Sequence, residues 1–489
     1  MTASGTTRPD TVAQSTVRVL LAYVGTAGFT AVLTFYLVRV LGPRDFGVFS
    51  LALGIGNLMH FGADFGIAAS ATRFIAEKRG DNAAIAVIFA SALRLKLPLA
   101  GAVAIVGVLL AQPVANAYGE ASLAWPLRAV ALSVLFESSI GLFSGTFIAV
   151  GRTATNLKMV VSESFVECSG TILLVILTGG AAAAAWGRAL GYAFGVALGA
   201  FLMARLLGRR ALAAHRRGTD MAKLGRYAGT LMIVNGAYSL FSSIDVLLIG
   251  AILSTTAVGA FSAPLRIAVL LQYPGLALAN SIAPRVARSE TGEPDYAAVQ
   301  FGLRVMTVVG FAMIAPLLAW AQPITDVILG ADYQDSVAVL RGMAPFVFLQ
   351  GLGIMLSLSV NYVGQARRRV PVAIAALAVN AVIDLLLLDS LGVVAAALGT
   401  SAGYAVYTAG HFRICQPIMG LALRPLALTF ARSAAAGGAM AAVLVAFGTA
   451  DLGVVEWIAG LVLSGAAFGA VIVATRELTV AELRTMARR

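Results

Sequence analysis

Charge is scarce in this chain. Of 489 residues only 12% are Asp, Glu, Lys or Arg, while 59% are hydrophobic, and the mean hydropathy is +0.89. A soluble domain carries roughly 25% charged residues to cover its surface, so a water-soluble globule is excluded. Cysteine is nearly absent. Cys168 and Cys415 fall in or beside apolar segments, which supports neither a disulfide framework nor a metal site. There is no Walker A loop for ATP, no nucleophile elbow and no Cys/His metal spacing, so neither a cofactor nor a built-in ATPase is expected. The chain is polar up to about Val17 and shows no small-residue cleavage site before its first apolar stretch, so no cleaved signal peptide is expected.

What the chain has is long apolar runs, such as 227–253, 258–284 and 428–450. Runs above about 18 residues with few charges read as transmembrane helices. Strands of a membrane barrel would alternate over about 10 residues, and no segment does. Fourteen spans are predicted: 17–40, 46–70, 97–118, 127–150, 158–179, 187–207, 227–253, 258–284, 301–321, 341–363, 370–388, 391–412, 428–450 and 454–474. The fold class is therefore all-α and polytopic, with short loops and space for no more than a small amphipathic helix near 75–95.

The formal charge of +12 reads as a topology signal rather than a nucleic-acid surface. Connections after odd-numbered spans carry few Lys or Arg. Those after even-numbered spans carry Arg73, Lys78 and Arg79, then Arg209, Arg210, Arg216, Arg217, Lys223 and Arg226, then Arg367, Arg368 and Arg369. The positive-inside rule puts both termini in the cytoplasm.

An internal repeat runs at about 212 residues. Gly47-Val48-Phe49-Ser50 returns as Gly259-Ala260-Phe261-Ser262, Ala111-Gln112-Pro113 as Ala321-Gln322-Pro323, Arg128 as Arg341, Val150-Gly151 as Val363-Gly364, and Gly191-Tyr192 as Gly403-Tyr404. The offset covers six helices, an even number, so the halves insert in the same direction. The expected organisation is a six-helix lobe over 1–207, a basic cytoplasmic linker over 208–226, a second, parallel six-helix lobe over 227–415, and two extra helices with a tail over 416–489. Two-lobed proteins of this kind hold substrate between lobes that rock.

Gly42-Pro43-Arg44-Asp45-Phe46-Gly47-Val48-Phe49-Ser50, followed by Ala63-Asp64-Phe65-Gly66 and Arg73-Phe74-Ile75-Ala76-Glu77, resembles the opening of Wzx-type polysaccharide flippases. Ser243-Ile244-Asp245-Val246-Leu247-Leu248-Ile249-Gly250, with Val258-Gly259-Ala260-Phe261-Ser262 and Leu265-Arg266, resembles the start of their second lobe. The superfamily also holds the MurJ lipid II flippase and the MATE exporters. The resemblance implies alternating access at the cytoplasmic membrane, with a polyprenyl-diphosphate-linked oligosaccharide as cargo, for cell-surface polysaccharide such as lipopolysaccharide. Membrane lipids, H+ or Na+, and a polysaccharide polymerase or glycosyltransferases would be its partners, and it would not be an enzyme. Arg266 matches the eighth-helix arginine of the MurJ type, whereas His60 stands where those proteins carry arginine. A cation-coupled drug or metabolite exporter and a membrane-embedded sugar polymerase are the competing readings.

An ionisable group inside a span costs several kcal/mol and is a functional hypothesis by default. Arg266 could take a diphosphate through its planar fork, or pair with Asp245 across one tight hairpin. His60 and Asp64, four apart on one helical face, could form a titratable couple that binds and releases cargo, or simply bond a neighbouring helix. Glu163 and Glu167 share that spacing and could share a proton or hold a coupling cation, though Glu163 is placed near a hydrated cytoplasmic end. Glu137 and Asp384 stand alone, Asp384 near the outer interface. Pro264, Pro274 and Pro284 predict bends in the eighth span.

Overall fold

The computed structural model describes residues 12–208, 236, 239–286 and 294–477. The basic linker expected over 208–226 lies almost wholly outside them, as do residues 227–235, 237 and 238 of the seventh expected span. The described residues are helical throughout, with no strand among them. Seventeen helices position the rest: α1 Val12–Asp64, α2 Ile67–Glu77, α3 Asn82–Ala117, α4 Ala124–Ala149, α5 Thr153–Thr178, α6 Gly180–Leu207, α7 Ile244–Ile252, α8 Thr255–Leu270, α9 Tyr273–Ile282, α10 Tyr296–Ala319, α11 Ala321–Ile328, α12 Asp335–Gly342, α13 Ala344–Tyr362, α14 Arg369–Leu391, α15 Val393–Met419, α16 Leu423–Ala446 and α17 Val454–Ala474.

Among the described residues, eleven helical stretches are long and apolar enough to cross a membrane. Their outward faces carry bare aliphatic side chains, including Leu109, Leu177, Leu386 and Val455. A surface this apolar is stable against lipid tails and not against water. The protein is a multi-pass membrane protein.

Local chemistry sets the helix limits. The first two expected spans form one continuous element, α1, turned at Gly42-Pro43. Gly42 sits at φ 69 and ψ 176, a conformation open to a residue without Cβ, and Pro43 starts the second segment. Asp81, Ser254 and Asp295 cap α3, α8 and α10, each accepting from backbone N–H groups of the first turn. The small amphipathic helix expected near 75–95 does not form. Asp81 starts α3 fifteen residues before the expected span, so 82–95 simply lengthens it. The eighth expected span breaks at Leu271-Gln272, and Pro274 sits in the first turn of α9. That bend follows from the proline's missing N–H.

The chain divides into two compact units, with the boundary between Ala251 and Ile252. In the first, α7 packs on α1. Asn57 Nδ2 donates to Ser243 Oγ at 3.4 Å, and a Cβ on Gly54 would meet Val246 at 3.1 Å. The same unit is organised by a ladder of glycines between α5 and α6. Gly187, Gly191, Gly195 and Gly199 lie four residues apart on α6, facing Thr171, Glu167, Glu163 and Met159 on α5. An added Cβ would come within 2.4 to 2.9 Å of these partners. Small residues at i, i+4 let two helix backbones approach closely in lipid. The close approach sets Glu163 and Glu167 hard against the neighbouring helix.

The second unit repeats the device between α14 and α15. A Cβ on Gly399 would fall 2.3 Å from Asp384 Oδ1 and 2.6 Å from Asn380 Oδ1. Gly399 lies 212 residues beyond Gly187 (399 − 187 = 212), and Asp384 lies 213 beyond Thr171 (384 − 171 = 213). Helices α16 and α17 dock on α10 at two points. Trp320 is fully buried, donates its indole N–H to the Leu444 carbonyl at 2.8 Å and stacks edge-on against Trp457 at 4.9 Å. At the other end, buried Glu477 bonds Arg304 of α10 at 3.1 Å and Arg432 of α16 at 2.9 Å.

Candidate functional site

Two groups of ionisable side chains stand within the spans of the first unit. In the first, Asp64, at the C-terminal end of α1, bonds Lys96 of α3, whose side chain is fully buried. Directly after Asp64 the chain breaks. Phe65 has φ 48 and Gly66 φ 75, and α2 starts at Ile67. A left-handed Phe is an uncommon, strained conformation, so the ion pair sits at the hinge between α1 and α2.

The second group joins four helices. His60 of α1 stands 3.9 Å from Glu137 of α4. Glu137 is 3.7 Å from Arg188 of α6. Arg188 donates to Glu167 of α5 at 2.9 Å, and its guanidinium covers the Tyr192 ring at 4.7 Å. Glu163 lies one turn from Glu167. Its Oε2 accepts from the Ser164 hydroxyl at 3.2 Å, and its Oε1 is buried with no hydrogen-bond partner. A planar guanidinium between two carboxylates can satisfy both through its fork of donors.

Several expectations change here. His60 and Asp64 share a helix but not a partner: one stands by Glu137, the other pairs with Lys96. Glu163 and Glu167 do stand together, but Glu163 is 5% exposed and not hydrated, because α6 closes over it. Glu137 is not isolated, since it joins His60 to Arg188. Asp384 does not stand alone: it is wholly buried beside Asn380 against Gly399. Asp245, on α7, is buried in the first unit. Arg266, on α8, is half-buried in the second, three residues before Val269 and ahead of the Leu271-Gln272 break. Lys96, Arg188 and Asn380 were missed. Lys96 and Arg188 lie at the edges of the expected third and sixth spans, where a charge is read as the end of a helix.

One further feature lies between α1 and α3. A cavity of about 330 Å³ is lined by Ile55, Met59, Val103, Val106, Leu110 and Leu127, with almost no polar atom. Among the described residues no group of three or more His, Cys, Asp or Glu side chains is arranged to hold a metal ion.

Comparison with known proteins adds the family. The polysaccharide biosynthesis protein family matches residues 12–289, more than half of the chain. The chain belongs to that family. The matched stretch contains both the Asp64–Lys96 hinge and the four-helix charge network. Among curated relatives, a probable low-salt glycan biosynthesis flippase of Haloferax volcanii is 22% identical over 418 residues, 82% of each chain. An Escherichia coli protein named as an O-antigen transporter is 24% identical over 343 residues, 68% of this chain and 80% of that one. Among solved structures, the lipid II flippase MurJ in an inward closed conformation superposes with a TM-score of 0.74 at 11% identity, over 95% of this chain and 99% of that one. An inward-facing MATE multidrug resistance transporter gives 0.68 at 16% identity, over 83% and 98%. At these identities the structural likeness establishes the fold alone, a polytopic all-helical one.

Proposed function

We propose that the protein is a flippase that carries a polyprenyl-diphosphate-linked oligosaccharide from the inner to the outer leaflet of the cytoplasmic membrane, for cell-surface polysaccharide biosynthesis. It works by alternating access of its two lobes, has both termini in the cytoplasm and catalyses no covalent chemistry. The family match over residues 12–289 carries this reading, and the relatives named for glycan flipping and O-antigen transport support it. Arg266, half-buried just ahead of the break in its span, is the group that meets the diphosphate. His60 and Asp245 are further candidates on the cargo path. Asp64 acts through its pair with Lys96 rather than on cargo. Energy comes from H+ or Na+, at carboxylates within the spans: buried Glu163 and half-buried Glu167 in the first unit, buried Asp384 beside Asn380 in the second. A polymerase or glycosyltransferases act on the same cargo. A cation-coupled drug exporter is the weaker reading, because the named curated relatives handle glycans.

The test is the leaflet on which lipid-linked sugar collects. Deleting the gene is expected to trap it on the inner leaflet, shielded from an impermeant probe, and to stop surface polysaccharide. An Arg266→Ala protein present at normal level is expected to restore little export. Full restoration would remove Arg266 from the cargo path.

A further inference from the structure

The four-helix network in the first unit holds more negative charge than its cation can balance. Glu137, Glu163 and Glu167 are three carboxylates, and Arg188 is the one guanidinium among them. From α1 the network is faced by His60 and, through Ser164, by the Thr26 hydroxyl at 3.4 Å. From α4 it is faced by Glu137, from α6 by Arg188 and Tyr192, and from α5 itself by Glu167 and Cys168. With every acid ionised and His60 neutral, the cluster would carry a charge of −2 inside the bilayer.

Exposure is graded along the network. His60 and Glu137 are about a third exposed, at 36% and 33%, while Glu163 at the other end is 5% exposed. Glu163 also holds the unpartnered oxygen, Oε1. A bare carboxylate oxygen sealed in low dielectric is costly, and a group in that position takes up a counter-charge. The ligand set for a metal ion is lacking there: among the described residues no three His, Cys, Asp or Glu side chains are arranged to hold one, and α6 packs against the stem of Glu163, where a Cβ on Gly195 would lie 2.7 Å from Cγ. The fixed positive charge of Arg188 repels a second cation. A proton needs no such ligand set.

We propose that Glu163 is a proton-binding site of this protein, filled from the His60–Glu137 end of the network and linked to it through Arg188. The step is proton transfer alone. Hydronium at the exposed end gives up a proton and is left as water; one O–H bond breaks there, one forms at Oε1, and the cluster goes from −2 to −1. When that proton leaves, the second negative charge on α5 draws Arg188 away from Glu137. The Arg188 side chain therefore moves with the load on Glu163. This deepens the flippase reading by naming the coupling ion and its seat, but the site itself can be tested without cargo.

The experiment is pH-difference infrared spectroscopy on the purified full-length protein in liposomes, in H2O and D2O. The wild type is expected to show the carbonyl band of a protonated carboxylic acid that shifts in D2O and disappears as pH rises. Glu163→Gln, which keeps the shape of the protonated acid, is expected to lose that component with its melting temperature retained. Glu163→Asp is expected to keep a shifted band, and Glu77→Gln, an exposed acid elsewhere, to leave the spectrum unchanged. Retention of the full band in Glu163→Gln, or a band that responds to Na+ at fixed pH instead of to pH, overturns the proposal. The cellular arm separates the two readings. If Glu163→Gln loses the band while gene deletion leaves surface polysaccharide intact, the proton site stands and the flippase reading falls. If it keeps the band while deletion traps lipid-linked sugar, the flippase reading stands and the proton site falls.

Discussion

Replacing Arg188 by alanine leaves Glu137 and Glu167 without their shared cation. Removing one partner of a buried ion pair costs about 3–5 kcal/mol, because the other charge stays buried; Arg188 and Glu137 keep 24% and 33% of their side chains exposed, so the loss should lie toward the bottom of that range. Thermal melting in detergent is expected to fall accordingly for Arg188→Ala. Arg188→Lys should fall less, since an ammonium can meet one carboxylate but not span two. The Asp64–Lys96 pair gives the complementary case. Lys96→Met strands Asp64, which keeps about a quarter of its side chain exposed, so its loss should lie toward the bottom of the same range of about 3–5 kcal/mol. Adding Asp64→Asn should return part of that stability, and a double-mutant cycle on melting free energies checks it. If the two changes simply add, the pair is not coupled.

At the scale of the helix, the α5–α6 ladder makes a sharp contrast between glycines. Gly191→Ala places a Cβ 2.5 Å from Glu167 Cβ and 2.6 Å from its Cα, so the two backbones must separate. Overpacking of this kind costs about 1–3 kcal/mol. Gly170 of α5 has nothing within 4 Å of an added Cβ, and Gly170→Ala should stabilise by about 0.5–1 kcal/mol through helix propensity. Melting curves of the two variants are expected to move in opposite directions. The same elements show what the sequence could and could not tell. Apolar runs placed the helices well, because lipid admits little else. Their ends were placed less well, because a hydropathy reading stops at the first charge. Lys96 lies fifteen residues inside α3, and Arg188 nine residues inside α6. Each was invisible as a site residue for that one reason, and each turned out to be the cation that organises its group. The spacing of Glu163 and Glu167 was legible. The burial of Glu163 was not, since it depends on glycines some thirty residues away in sequence, on another helix.

For the whole molecule, the proposed orientation rests on the basic loops. A reporter active only in the cytoplasm, fused after the last residue, is expected to be active, and an externally active reporter fused at Ala331, in a loop of acidic and neutral residues, is expected to be active as well. The reverse pattern would invert the topology. Glu477→Gln should loosen the end of the C-terminal helix pair, because Arg304 and Arg432 lose their common anion. Limited proteolysis from the C-terminal side should then proceed faster than in the wild type. Export should change little if that pair serves only as a support.

Trp320 and Arg304 also decide what a shorter relative of this protein must look like. Arg304 lies in α10 and Trp320 directly follows it, and both spend their polar atoms on segments beyond residue 428. A lineage that shed its last two helices would leave an indole N–H and a guanidinium facing hydrocarbon. Such a loss is therefore survivable only when those two positions have already turned apolar. In shorter homologues the residues aligned with Trp320 and Arg304 should change together with the disappearance of the helix pair, and a truncated form of this chain should be rescued by Trp320→Phe with Arg304→Leu better than by either alone.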